Sequence, residues 1–224
     1  MILSKRLQTA ASFVRKSDVI ADIATDHGYL PIYLLSQNIA NFAYATDINT
    51  EPLKRAEINV AKANLSDKTV FLLTDGLKGL EQYSLDTILI CGMGGDTIAE
   101  IIDAADFLKE RRTRLVLQPM SAVDRLRKYL YNNGYTILDE AFCYDNGKYY
   151  FTLLTEYTAE ITEHTVSEQY LGKNFRNDSK IKNDYLHMLY KKTEKIIAGK
   201  IQGGEDCETE KLLLAQLTEL QETK

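Results

Sequence analysis

Cysteine is scarce in this chain. The three that occur, Cys91, Cys143 and Cys207, are far apart and odd in number. That suggests neither a disulfide framework nor a zinc site. No cluster of residues with metal-ligand spacing is present, so no metal is expected. No apolar run approaches the roughly 20 residues that a membrane-spanning helix needs. The opening Met1-Ile2-Leu3-Ser4-Lys5-Arg6 has no apolar core followed by a small-residue cleavage site. The expectation is therefore no signal peptide, no membrane partner and a cytoplasmic protein. Basic charge is not in excess either: 27 Lys and Arg face 32 Asp and Glu, a formal charge of −5. Bulk electrostatics do not advertise a nucleic-acid partner, although a local basic face is compatible with an acidic total.

What is present is the make-up of a globular protein, with 45% hydrophobic and 26% charged residues over 224 positions. Residues 1–16 carry Leu3, Leu7, Ala10, Ala11 and Val14 at helical spacing. Short apolar runs at 19–23, 41–47, 69–73, 86–91 and 114–119 read as buried strands. Helical stretches at 32–35 (with Pro31 in the first turn), 52–63, 97–107 and 122–132 alternate with them. Two β-rich runs, 135–144 and 148–157, flank Asn146-Gly147, a hairpin signal. This alternation predicts an α/β fold with a mostly parallel sheet and an antiparallel end. In such sheets the ligand sits beyond the carboxyl ends of the strands, at the switch point. The β-rich residues fade near 161. Beyond it Tyr185, Leu186, Leu189, Ile196 and Ile197 predict one amphipathic helix starting near Asp178. Leu212, Leu213, Leu217 and Leu220 predict a second, after a break at Gly203-Gly204, giving a helical, coiled-coil-like hairpin. The expected division is 1–160 and 161–224.

The strongest local feature is Asp22-Ile23-Ala24-Thr25-Asp26-His27-Gly28-Tyr29-Leu30-Pro31, between the first strand and its helix. Backbone amides and a helix N-terminus meet a nucleotide-type cofactor at that place. The run is similar to an acid-x-Gly-x-Gly-x-Gly motif, with Ala24 and Asp26 at two glycine positions and Gly28 retained. A strict dinucleotide fingerprint is absent. Asp22 and Asp26 would repel a pyrophosphate, whereas a zwitterion carrying a sulfonium and an ammonium would tolerate them. A plain turn with helix-capping acids is the alternative. Asp47 closes the second strand, where ribose hydroxyls are held, or else caps the helix opened by Pro52. Asp75-Gly76 closes the third strand; the carboxylate there can accept from an adenine amino group while the glycine admits the ring, or the pair forms a tight turn. Gly92-Met93-Gly94-Gly95 ends the fourth strand, and three glycines in four positions imply a close backbone approach. Met93 packs on a cofactor or in the core. His27 is a candidate base or cofactor contact, or a hydrogen-bonded structural residue. An Asn/Asp-Pro-Pro-aromatic motif for exocyclic amines does not follow the fourth strand.

Leu3-Ser4-Lys5-Arg6-Leu7, the turn from Asp22 to Pro31, Asp75-Gly76-Leu77, Gly92-Met93-Gly94-Gly95 and Leu117-Gln118-Pro119 together resemble the bacterial tRNA adenine-22 N1-methyltransferase family. The resemblance covers essentially the whole chain. It implies a class I Rossmann-like methyltransferase fold, a seven-stranded sheet closed by an antiparallel hairpin, followed by a helical domain. It implies S-adenosyl-L-methionine as cofactor, held by Arg6, Asp22, Asp26, His27, Gly28, Asp47, Ile48, Asp75, Gly76, Gly92, Met93 and Gly94. It also implies methyl transfer to N1 of an adenosine in the tRNA D arm, with Asp26 as the first choice of catalytic residue. A tRNA must be held along its backbone, so Lys173, Arg176, Lys180, Lys182, Lys191 and Lys192 of the helical domain are candidate phosphate contacts; a dimerisation or packing hairpin with solvated lysines is the alternative. Ala24 stands where the family commonly has glycine, and an alanine fits there if the backbone is not left-handed. Two other readings stay open: a class I methyltransferase for a small molecule or protein, and a non-catalytic nucleic-acid-binding protein keeping the fold.

Overall fold

The computed structural model describes residues 2–175 and 179–222; Arg176 and Asp178, named above, lie outside the described residues. The chain forms two compact units, Met1–Thr162 and Glu163–Lys224.

In the first unit, seven strands among the described residues make one sheet in the order β3-β2-β1-β4-β5-β7-β6. β1 (Asp18–Ile23), β2 (Ala40–Asp47), β3 (Thr69–Leu73), β4 (Thr87–Gly94) and β5 (Arg114–Ser121) pair in parallel. β7 (Lys148–Tyr157) is antiparallel to both β5 and β6 (Tyr135–Asp145). The predicted hairpin turn is there, with Asn146 and Gly147 both at positive φ, as a turn matched to strand twist requires. The helices are α1 (Lys5–Ser12), α2 (Tyr29–Ser36), α3 (Thr50–Lys62), α4 (Gly95–Asp103), α5 (Phe107–Glu110) and α6 (Val123–Asn132). The central strands bury Ile20, Ala21, Ile88, Leu89, Ile90, Leu115, Val116 and Leu117. Burial on both faces explains why they read as continuous apolar runs rather than alternating ones. The sheet order reverses at β1 and β4, which sets a crevice at their carboxyl ends.

Three expectations are corrected. The first helix is shorter than 1–16: Ser4 caps it, its Oγ accepting from the Leu7 amide, and Phe13 ends it. β4 does not stop at Cys91 but runs through Gly94, pairing Met93 with Pro119 and Gly94 with Ser121 across two register shifts. The glycines therefore lie in a bulged strand end rather than beyond it. Gly95 opens α4, and a Cβ there would be driven into the Ala122 carbonyl, so close helix packing dictates that glycine.

The third correction concerns Ala24, which is left-handed at φ 56°. Asp26 (φ 42°) and Gly28 (φ 69°) are left-handed too. The turn thus keeps a glycine-type backbone at all three motif positions while filling two with side chains. Such a residue costs about 1–2 kcal/mol, partly offset because alanine has less freedom than glycine in the unfolded chain. Ala24→Gly is expected to stabilise the protein by about 0.5–1 kcal/mol, raising the melting temperature by roughly 2 °C. Thermal unfolding without ligand checks this, and a lower melting temperature would contradict it.

The second unit holds α7 (Val166–Leu171), α8 (Lys180–Gly203) and α9 (Glu208–Glu222). Thr165 and Glu168 form a capping box at α7. Gly204, left-handed at φ 69°, ends α8, the usual role of glycine at a helix C-terminus. Tyr185, Leu186 and Leu189 are buried with Leu213 and Leu217. Ile196 and Leu212, expected in the apolar stripes, are exposed instead. Their neighbours Thr193 and Leu213 hold the buried positions, so the buried seam is narrower than the hydrophobic pattern. Among the described residues no helix is long and apolar enough to cross a membrane.

Candidate active site

A cavity of about 690 Å³ opens at the carboxyl ends of β1, β2, β3 and β4, a volume suited to a nucleotide-sized ligand. Of the residues singled out in the sequence, Asp47, Ile48, Asp75, Gly76 and Met93 line it. Ala24 and Ile23 form the wall beneath the motif turn. Arg6, Asp22, Asp26, His27, Gly28, Gly92 and Gly94 are not among the lining residues.

Each placement has a local cause. Asp47 ends β2, and its Oδ1 accepts from the Asn49 amide at 2.7 Å, a turn-forming contact that fixes the carboxylate. Asp75 sits in the loop after β3, and its Oδ2 is 2.6 Å from Lys78 Nζ. Gly76 is left-handed at φ 59°, and a Cβ there would meet the Ile101 side chain at 3.3 Å. Thr97 and Ile101 enter the cavity from α4, four positions apart on one helix face. Sequence reasoning missed them; the only available signal was that spacing, which a core-facing helix shares.

Asp22 lies at the end of β1, buried, and among the described residues its carboxylate accepts one hydrogen bond, from Thr25 Oγ1 at 2.6 Å. Burial pushes its pKa up from 3.8 to about 7. The same surroundings hold Cys91, whose thiol is pushed well up by burial and next by the Asp22 charge, against an opposing pull from Arg6. Arg6 Nη1 donates to Gln118 Oε1, and its guanidinium lies 5.9 Å from the Tyr150 ring centroid. Asp22 and Arg6 thus both act on Cys91 in β4, with opposite signs. Asp26 is turned elsewhere, with Oδ1 2.9 Å from Arg55 Nη2 and Oδ2 3.4 Å from His27 Nε2. Gly28 caps α2, and a Cβ at Gly92 (φ 85°) would meet Arg6 Nη1 at 3.8 Å. No group of three or more His, Cys, Asp or Glu among the described residues is placed to hold a metal.

Comparison with known proteins gives the arrangement a lineage. A family model described as a methyltransferase domain matches residues 3–153. The tRNA (adenine(22)-N(1))-methyltransferase of Bacillus subtilis is 37% identical over 154 residues, 69% of this chain and 65% of that protein's length. The solved M. capricolum TrmK, in complex with S-adenosyl-homocysteine, superposes with a TM-score of 0.79 at 29% identity, covering 99% of this chain and 97% of that one. The chain belongs to the tRNA (adenine-22-N1)-methyltransferase family. A Streptococcus pneumoniae member solved with S-adenosyl-L-methionine superposes at a TM-score of 0.82, with 29% identity, over 95% of this chain and all of that one. The family fold is the class I methyltransferase sheet described above, with its antiparallel β6–β7 hairpin.

Asp22 gives this family member a testable pH signature. Its folded pKa lies above its unfolded value, so its proton is favoured in the folded state. Stability from this group is full below about pH 4 and is lost as pH rises through about 7. Asp22→Asn removes that loss. Without ligand, the variant is expected to exceed the wild type by roughly 2–4 kcal/mol at pH 8, with the gap narrowing steadily towards pH 4. Urea unfolding at several pH values measures the gap, and a pH-independent difference would refute the assignment.

Proposed function

We propose that this chain transfers the methyl group of S-adenosyl-L-methionine to N1 of adenosine 22 in the D arm of tRNA. The observation that carries this reading is a cavity at the switch point of a family-matched fold, with an acid closing β2 and another after β3. Asp47 would accept from the ribose hydroxyls and Asp75 from the adenine amino group, beside Gly76. Ile48 and Met93 supply apolar walls for the ring. A zwitterionic methionine end asks for one charge of each sign, and Asp22 and Arg6, whose charges both act on the Cys91 thiol, are the two we assign to it. Gly28, Gly92 and Gly94 would bring backbone close to it. An incoming cation also offsets the cost of a buried Asp22 carboxylate, which gives that residue a use its burial alone does not.

The cofactor supplies an electrophilic methyl carbon. Adenine N1 has an available lone pair, so no base is needed before attack. The N–C bond forms as the C–S pair stays on sulfur, and the nucleoside leaves as a cation. Catalysis is then positioning plus stabilisation of developing positive charge. We assign that electrostatic part to Asp26, with His27 and Arg55 orienting its carboxylate. N1 lies on the pairing edge, so the target must be presented unpaired or displaced.

Residues 1–160 form the catalytic part in this proposal, and 161–224 hold tRNA. On α8, Lys180 pairs with Asp184 and Lys191 with Glu194, which blunts two of the six cations singled out in the sequence. Lys192 and Lys195 are exposed with no acid partner among the described residues, so they are the better phosphate contacts. A tRNA substrate is consistent with a cytoplasmic protein. The test is transfer of labelled methyl to tRNA transcripts carrying adenosine or guanosine at position 22. Label in the first alone supports the function. Equal label in both, or none, overturns it.

A further inference from the structure

The motif turn carries an aromatic pair that neither fills the core nor lines the cofactor cavity. The rings of His27 and Tyr29 stack at a centroid distance of 5.0 Å and an interplanar angle of 15°. Tyr29 is 44% exposed, and the His27 side chain 39%. Surface aromatics cost solvation, so a fixed, half-exposed pair is informative.

The pair is also braced. Asn59 Nδ2, on α3, donates to the His27 carbonyl at 3.1 Å. Arg55, on the same helix, holds Asp26 at 2.9 Å. The Gly28 amide closes the turn onto the Thr25 carbonyl at 2.9 Å, and the Thr25 amide ties it to the Thr46 carbonyl at the end of β2. Tyr29 opens α2. Among the described residues its hydroxyl has no partner, so the ring rather than the hydroxyl is the feature held in place. Three residues before the pair, Ala24 forms part of the cavity wall. The pair and part of the cavity wall thus belong to one turn, which offers a preorganised π surface to a planar group held against it.

We propose that the His27–Tyr29 pair is a stacking platform for a nucleobase of the RNA substrate, holding the target adenine or its immediate neighbour against the motif turn. The proposal rests on the tRNA function given above. Bases displaced from a helix are gripped by stacking on aromatic side chains. Tyr29 thereby becomes a positioning residue for the acceptor rather than for the cofactor.

The test compares Tyr29→Ala, Tyr29→Leu and Tyr29→Phe, each checked for folding by circular dichroism and for S-adenosylmethionine affinity by calorimetry. Stacking of a base is lost with alanine at a cost that corresponds to about 5- to 150-fold. Tyr29→Ala and Tyr29→Leu should raise KM for tRNA by that factor with cofactor affinity unchanged, and Tyr29→Phe should behave as the wild type. In parallel, 2-aminopurine at tRNA position 22 or 23 should be quenched by the wild type and the Phe variant but not by the Ala variant. Wild-type KM and quenching in Tyr29→Ala, or a loss in Tyr29→Phe equal to that in Tyr29→Ala, overturns the platform. If the wild type binds but does not methylate tRNA, the proposed function falls while the fluorescence still decides the stacking.

Discussion

Deleting residues 163–224 is expected to lower kcat/KM for tRNA methylation by about 100-fold or more while leaving S-adenosylmethionine affinity within about twofold of wild type. The cavity lies wholly within the first unit, Met1–Thr162, so the cofactor loses no contact. The amide of Thr162 is bonded to the Tyr131 carbonyl at 2.9 Å, so ending the chain there keeps that tie. A tRNA is far larger than one pocket and must be gripped along its backbone. The loss of two charge-assisted phosphate contacts, at about 1.5 kcal/mol each, already gives a factor of 100. Binding of the full-length chain should weaken with salt at a log-log slope of about −0.7 to −0.9 per phosphate contact, and the truncated chain should show a shallower slope. Lys192→Gln together with Lys195→Gln should reproduce part of that change. A folded, truncated protein that methylates tRNA as fast as the full chain would make the helical unit a packing or dimerisation element.

Asp47→Ala and Asp26→Ala should fail in different ways. Asp47 lines the cavity with one carboxylate oxygen fixed by the Asn49 amide. Its removal should weaken S-adenosylmethionine binding by about 1.5–3 kcal/mol, roughly 10- to 150-fold. Asp26 stands outside the cavity lining, bonded to Arg55. Its removal should lower turnover far more than cofactor affinity, the mark of an interaction made in the transition state. Calorimetry and single-turnover rates on the two variants separate these effects. Unchanged affinity in folded Asp47→Ala removes that residue from the ribose site. Equal losses of affinity and turnover in Asp26→Ala reassign it to the cofactor.

Much of the site was legible because strand ends can be read from local pattern. Asp47 and Asp75 follow apolar runs that the structure keeps as β2 and β3 with the expected carboxyl ends. Ile48 and Gly76 come with them. The distal wall was not legible. Thr97 and Ile101 share a helix face with core-facing neighbours, and nothing in their spacing separates a ligand-facing side from a sheet-facing one. The glycines after β4 show the opposite limit. Their density announced a close approach, but the neighbour that dictates Gly95 is the Ala122 carbonyl, 27 positions along the chain.

The sequence by itself determined the alternation of strands and helices, the Asn146-Gly147 hairpin and the acids at the ends of β2 and β3. Those features depend on side-chain periodicity and turn chemistry among near neighbours. Only the tertiary structure decided how the four acids divide. Asp47 and Asp75 face the cavity, Asp22 is buried beneath the turn with its pKa raised, and Asp26 is turned to Arg55. That division follows from left-handed backbone at Ala24 and Asp26 and from a helix whose arginine is 29 positions away. A side chain's direction and its dielectric surroundings are set by whatever packs against it, and no local pattern encodes them.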